Sequence, residues 1–140
     1  MATGILARHG NKQIINNYIF MKPTESQKKE VRGYIQKWQP TLFLHEWDFE
    51  IHYCEDVEGL KITMKTEYKD AIIEINTKVY FELSKEKREE VLVHELCHCI
   101  AQPLVHIACE AAMGRQVSQQ EIDWHKESVT QHFARAIFNK

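Results

Sequence analysis

"VLVHELCHCI", residues 91–100, decides how the rest of this chain is read. His94, Glu95 and His98 form the pattern H-E-x-x-H within it. On a helix, residues i and i+4 lie about 40° apart and one turn up, so His94 and His98 can present two imidazoles to one ion. Leu92, Val93, Leu96 and Ile100 hold the opposite side. Glu95 stands about 100° round from His94, where its carboxylate reaches a water held by the ion without ligating the ion itself. This is the arrangement of a general base acting on a zinc-activated water, so Zn2+ is the expected cofactor. A chain of this composition throws up the pattern by accident about 5% of the time, so its surroundings must argue for it. The segment is apolar nearly all round, which predicts burial on most sides, and buried imidazoles and carboxylates need partners.

Two histidines do not complete a catalytic zinc site, which takes three protein ligands and leaves a position for water. A metzincin would place glycine at 101 and histidine at 104, but Ala101 and Leu104 stand there. His106 and Glu110 follow Pro103 closely, and a continuing helix carries them away from the ion. The last helix, read over about 120–139, is better placed to return. Asp123, Glu127 and Thr130 flank one side of its apolar stripe (Ile122, Val129, Phe133, Ala136, Ile137), and His125 and His132 flank the other; Glu121 is a further candidate. Either Glu127 or His125 can close the site, and spacing alone leaves both open.

Working back toward the N-terminus, Ser84 is a cap for the motif helix, expected over 85–101 with an interruption or kink at Pro103 and a second helical piece beyond. Before it, the period is two. "WDFEIHYC" and "LKITMK" alternate apolar and polar residues, and "AIIEINTKVYF" reads as a third strand running toward Phe81. Further back, Thr24 to Gln27 is a T-x-x-Q capping box, Val31, Tyr34, Ile35 and Trp38 form one helical face, and Pro40 stops that helix. Short turns between the strands leave no room for helical crossovers. The expected fold class is therefore α+β: an N-terminal helix, a small three-stranded antiparallel or mixed sheet, the H-E-x-x-H helix and a C-terminal helix.

The 140 residues suit a single domain over 1–140, with 1–22 a poorly defined segment whose Ile14, Ile15, Tyr18, Ile19 and Phe20 could form a short helix or an edge strand. A net charge of −2 gives no basic surface, so neither nucleic acid nor a membrane is an expected partner. No apolar run approaches the length of a membrane span, and the N-terminus lacks the pattern of a secretory signal. Cys54, Cys97, Cys99 and Cys109 do not make a disulfide framework and read as free intracellular thiols. A Cys97–Cys99 zinc pair competes poorly with the neighbouring histidines.

From about Trp47 to Ile137 the chain resembles a family of small phage-encoded metallopeptidases of the minimal gluzincin type. The likeness is carried by the "WDFEIHY" strand, by "VYFELSKEKREEVLVHELCHCIAQPL" and by "HKESVTQHFARAIF". Family members look like "E-E-V-x-V-H-E-L-x-H-x-x-x-x-P-L" and close with "E-x-V-x-x-x-x-A-R-A". The resemblance implies a zincin-like fold with His94, His98 and Glu127 as zinc ligands and Glu95 as catalytic base, in the cytoplasm of the host cell. Two features depart from the pattern. The stretch after Pro103 and Leu104, "VHIACEAAMG", is unusually apolar, and Gln131 stands where gluzincins often have an aspartate. Asp123 is the residue left to orient a ligating imidazole. A more distant likeness is to the SprT-like zinc proteases, in which a third histidine, here His125, would ligate. The absence of a basic face or zinc-ribbon cysteines speaks against their DNA-linked role.

The expected activity is hydrolysis of peptide bonds in a peptide or protein laid along an edge strand, taken to be "AIIEINT". Tyr80, His125, His132 and Arg135 are the candidates for stabilising the oxyanion. The rival is a zincin-like binding module whose zinc is structural or vestigial, with His125 and Glu127 both ligating.

Overall fold

The structure is a computed structural model describing residues 21–65 and 67–138. The apolar positions Ile14 to Phe20 lie outside the described residues. Helix α1 (Glu25–Thr41) starts at the expected box. Thr24 Oγ1 accepts the Gln27 N–H at 3.1 Å, and Gln27 Oε1 accepts the Thr24 N–H at 2.9 Å. Two amides left unpaired by any helix start are thus satisfied. Val31, Tyr34 and Ile35 turn inward and are buried. Pro40 does not stop the helix but occupies its last turn, with one helical residue after it. The Leu42 N–H then folds back onto the Trp38 carbonyl at 2.8 Å.

Strands β1 (Asp48–Cys54), β2 (Leu60–Lys65) and β3 (Asp70–Asn76) form one mixed sheet in the order β1-β3-β2. Ile73 in the middle strand faces Ile51 across a parallel pairing and Ile62 across an antiparallel one. Parallel neighbours need a crossover. Here β2 is the return path: the chain ascends β1, descends β2 on the far side, and comes back up between them as β3. Asn76 holds the link that crosses over the end of β3. Its N–H donates to the Gly59 carbonyl at 2.8 Å and its Nδ2 to the Val57 carbonyl at 2.9 Å. "AIIEINT", expected at an edge, is therefore the central strand with both sides paired. Among the described residues the outer strands are β1 and β2.

The third strand is also shorter than its composition suggests. It ends at Asn76, whose Oδ1 accepts the Val79 N–H at 3.2 Å and caps a short helix, α2 (Thr77–Glu82). The β-branched and aromatic run "TKVYF" reads as strand by propensity, but an asparagine cap offers the backbone a competing partner.

Helix α3 (Lys85–Ala112) begins at the expected Ser84, whose Oγ accepts the Lys87 N–H at 3.2 Å. It is one 28-residue helix and does not break at Pro103. A proline there forfeits the bond to the Cys99 carbonyl, at roughly 3 kcal/mol. Packing outweighs this, because helix α4 (Gln119–Phe138) lies against α3. Contrary to expectation, α3 is long and apolar enough to cross a membrane by length and composition. In the fold, its Leu92, Leu96, Cys99 and Ile100 are instead committed to the core. The core joins them to Val31, Leu44, Ile73, Ile75 and Tyr80, and Val129 seals it from α4. Four helices and a three-stranded mixed sheet among the described residues make the chain α+β, as read from its pattern.

Candidate metal centre

The motif stands on a helix whose first turns are held from two sides. Arg88 donates Nε and Nη2 to the two carboxylate oxygens of Glu30 on α1, both at 2.9 Å, and Nη1 to the Leu83 carbonyl at 2.6 Å. Hydrogen bonding to Glu30 raises the Arg88 pKa further. Glu89, the next residue, accepts from Lys37 Nζ at 2.5 Å and from Trp38 Nε1 at 2.7 Å. These two bonds, that from Lys37 foremost, hold its carboxyl below the usual range. From α2, the buried Tyr80 hydroxyl donates to the Arg88 carbonyl at 3.0 Å. Of these anchors Trp38 stands in the apolar face legible in the sequence, while the pairings of Glu30 with Arg88 and of Lys37 with Glu89 carry no local mark.

The exposed side of α3 then carries His94 and His98, with Glu95 half-buried beside them. Their rings lie 5.0 Å apart at an interplanar angle of 85°. One ligand atom from each of His94, Glu95 and His98 lies within 4.8 Å of the other two. Two ligands of a tetrahedral zinc stand roughly 3.3 Å apart, and exposed imidazoles close that gap by side-chain rotation. Two imidazoles are donors that zinc takes, and the Glu95 carboxylate stands beside them where it can meet a water on the ion, so the residues fit such an ion. The apolar back expected behind the motif is present in Leu92, Leu96 and Ile100. The expectation that the histidines themselves are buried is not met, because α3 lies on the surface of the core and turns this face outward. Their geometry, not their burial, is what suits them to a metal.

The other candidates are dispersed. Glu127 is exposed and lines a cavity of about 690 Å³ between α4, the 43–47 link and the Cys99–Pro103 turn. His94, Glu95 and His98 do not line that cavity. His132 lines it too and hydrogen-bonds the Leu42 carbonyl. His125 is half-buried, and its Nδ1 is enclosed without a hydrogen-bond partner. Asp123 accepts from Gln119 at 3.1 Å, and Glu121 caps α4 by accepting the Ser118 N–H at 2.8 Å. Glu110 is paired with Arg115 at 2.6 Å, and His106 is exposed. Among the described residues, the group with metal-binding geometry contains no side chain from α4. Tyr80, a candidate for the oxyanion, has already given its hydroxyl to Arg88, and burial foremost lifts its pKa above the usual tyrosine range. The Arg135 side chain lies outside the described residues. Burial pushes the Cys99 thiol up to about 12 and raises that of Cys97, and neither thiol belongs to the group with metal-binding geometry.

No curated protein and no solved structure matches the chain. A family model described as "Putative phage metallopeptidase" does, over residues 2–117. That span takes in the N-terminal segment, the sheet and the whole motif helix. It ends before α4, so Glu127 and His125 stand outside it. With most of its length and its H-E-x-x-H helix inside the match, the chain belongs to this family of phage metallopeptidases.

Proposed function

We propose that this chain is a zinc-dependent peptidase of the zincin-like type: the resemblance makes it a gluzincin, with Glu127 as third ligand, and the alternative has His125 in that place. The observation that carries the reading is the convergence of His94, Glu95 and His98 within 4.8 Å on one exposed helix face, in a chain of this family. His94 and His98 hold the ion. Zinc, when bound, supplies a Lewis acid that polarises the scissile carbonyl and makes water a nucleophile at neutral pH. Glu95 accepts the proton of the attacking water and delivers it to the leaving amine. Its half-buried position beside the two imidazoles supports that role. The substrate is a peptide or protein chain laid along the outer edge of β2, the outer strand that packs on α3. Four free thiols accord with the reducing cytoplasm of a host cell.

The third ligand is proposed to come from α4. The resemblance implies Glu127, whose exposed carboxylate forms no ion pair among the described residues. A second reading, with His125 as the ligand, is favoured by its enclosed Nδ1 without a partner. The test is metal content and peptide hydrolysis of purified variants. His94→Ala and His98→Ala should lose zinc, whereas Glu95→Gln should keep zinc and lose about 10²-fold or more in rate. Retention of full hydrolysis by Glu95→Gln would refute the proposed mechanism.

A further inference from the structure

We propose that the cavity between α2, the start of β2 and the first turns of α3 receives an apolar side chain of the substrate next to the bond that is cut. This rests on the peptidase reading above. The cavity encloses about 390 Å³, within the range of specific ligand sites. His94 and Glu95 form one end of it, so whatever enters lies beside the proposed chemistry.

The walls determine the class of side chain. Leu60, Val79, Leu83 and Val91 supply apolar surface from three separate elements. Val79 is 40% exposed although it faces this concavity, so its methyl groups are available to a ligand. Tyr80, fully buried, backs the wall, with its hydroxyl occupied by the Arg88 carbonyl. At the exposed rim, Lys87 and Glu90 neutralise each other at 2.9 Å, so the opening presents no net charge to select an ionised side chain. An acidic side chain here would lose water beside the Glu95 carboxylate without gaining a free counter-ion, whereas an aliphatic or aromatic one would exchange apolar surface with the wall. The pocket exists because Asn76 turns the chain into α2 at the end of β3, setting Val79 and Leu83 opposite α3.

The test uses the full chain loaded with zinc and a set of blocked fluorescent peptides carrying Leu, Phe or Asp at each position in turn. Hydrolysis is measured with the wild type. Binding is measured by anisotropy with Glu95→Gln as the background. At one position flanking the cut, Leu should be favoured over Asp by at least about tenfold in both assays. Adding Val79→Lys should reduce that ratio below about threefold, with zinc content unchanged. Val79→Ala, which suits a helix and widens the cavity, should shift the preference from Leu toward Phe. Cleavage without any apolar preference, or a preference that survives Val79→Lys in a zinc-loaded protein and does not move with Val79→Ala, overturns the pocket and leaves the peptidase reading standing. Apolar-selective binding that Val79→Lys abolishes, with no hydrolysis by the wild type, upholds the pocket and overturns the peptidase. If peptides are neither bound nor cut, both fall.

Discussion

Replacing Arg88 with methionine should cost more than replacing Arg88 and Glu30 together. The two side chains are 17% and 20% exposed, so the pair is mostly withdrawn from water. Arg88→Met removes two charge-assisted bonds to Glu30 at 2.9 Å and one to the Leu83 carbonyl at 2.6 Å. Bonds to charged groups contribute about 1.5–3 kcal/mol each when well enclosed. Partial exposure lets Glu30 and the Leu83 carbonyl recover some water, so the expected total falls below what three enclosed bonds would give, to about 3 kcal/mol. Much of that is the cost of leaving Glu30 without a counter-ion. The double variant, Glu30→Met with Arg88→Met, removes the stranded charge and adds apolar contact between α1 and α3. It should lose only about 1–2 kcal/mol. The assay is urea unfolding of zinc-free protein at neutral pH, comparing midpoints at equal m-values. A single variant within about 0.5 kcal/mol of wild type would show a solvated surface pair. A double variant losing the sum of the two singles would show that no stranded charge was involved. Either result refutes the reasoning.

Further outcomes follow from the same contacts. Leu96→Ala should cost about 2–5 kcal/mol, because Leu96 is fully buried in the core cluster; urea unfolding reads this directly. Glu89 has a folded-state pKa below its unfolded value of about 4.3, so its stabilising contribution is present above that value and lost as pH falls through the folded pKa. Glu89→Gln should therefore be less stable than wild type at pH 6 and converge with it in acid, as measured by unfolding at a series of pH values. Cys109 is exposed and Cys99 is buried, so iodoacetamide on the native protein should label Cys109 first, with mass spectrometry as the readout.

The parts of the fold legible in the sequence are those set by local chemistry. Thr24, Ser84 and the alternation in "WDFEIHYC" act within a few residues, and each marks its element where the structure has it. The elements misread are those decided by tertiary partners. Pro103 breaks a helix on local grounds, and only the packing of α4 on α3 keeps that helix intact. "AIIEINT" carries no mark of being central, because its inward residues are apolar in either place, and its position follows from β2 passing to the far side of the sheet. The missed helix α2 did carry a local mark in Asn76, outweighed in the reading by the strand propensity of "TKVYF". At the site, His94, Glu95 and His98 were legible because helix geometry alone assembles them. The anchors Glu30 and Arg88 lie 58 residues apart and could not be paired from spacing.

The third ligand depends on which side of α4 turns inward, and one residue bears on that. Val129 is buried, at 7% exposure, and joins the core that holds Cys99 and Ile100. On a helix, His125 stands one turn before it and about 40° away, while Glu127 stands about 160° round on the far side. The exposures agree: His125 is half-buried and Glu127 is exposed. His125 thus shares the side of α4 that Val129 turns to the core, whereas Glu127 stands off that side, on the cavity that α4 shares with the Cys99–Pro103 turn. An enclosed imidazole nitrogen without a partner also gains a bond on ligating, which an exposed carboxylate already solvated does not. On this argument His125→Ala should weaken zinc binding by at least about 100-fold, beyond the 10–100-fold typical of residues that merely support a ligand. Glu127→Gln should weaken it by less than about tenfold. Competition with a chromophoric chelator measures both, and urea unfolding of the zinc-free variants separates loss of a ligand from loss of the helix. The reverse order of affinities would overturn the assignment to His125 and make Glu127 the ligand.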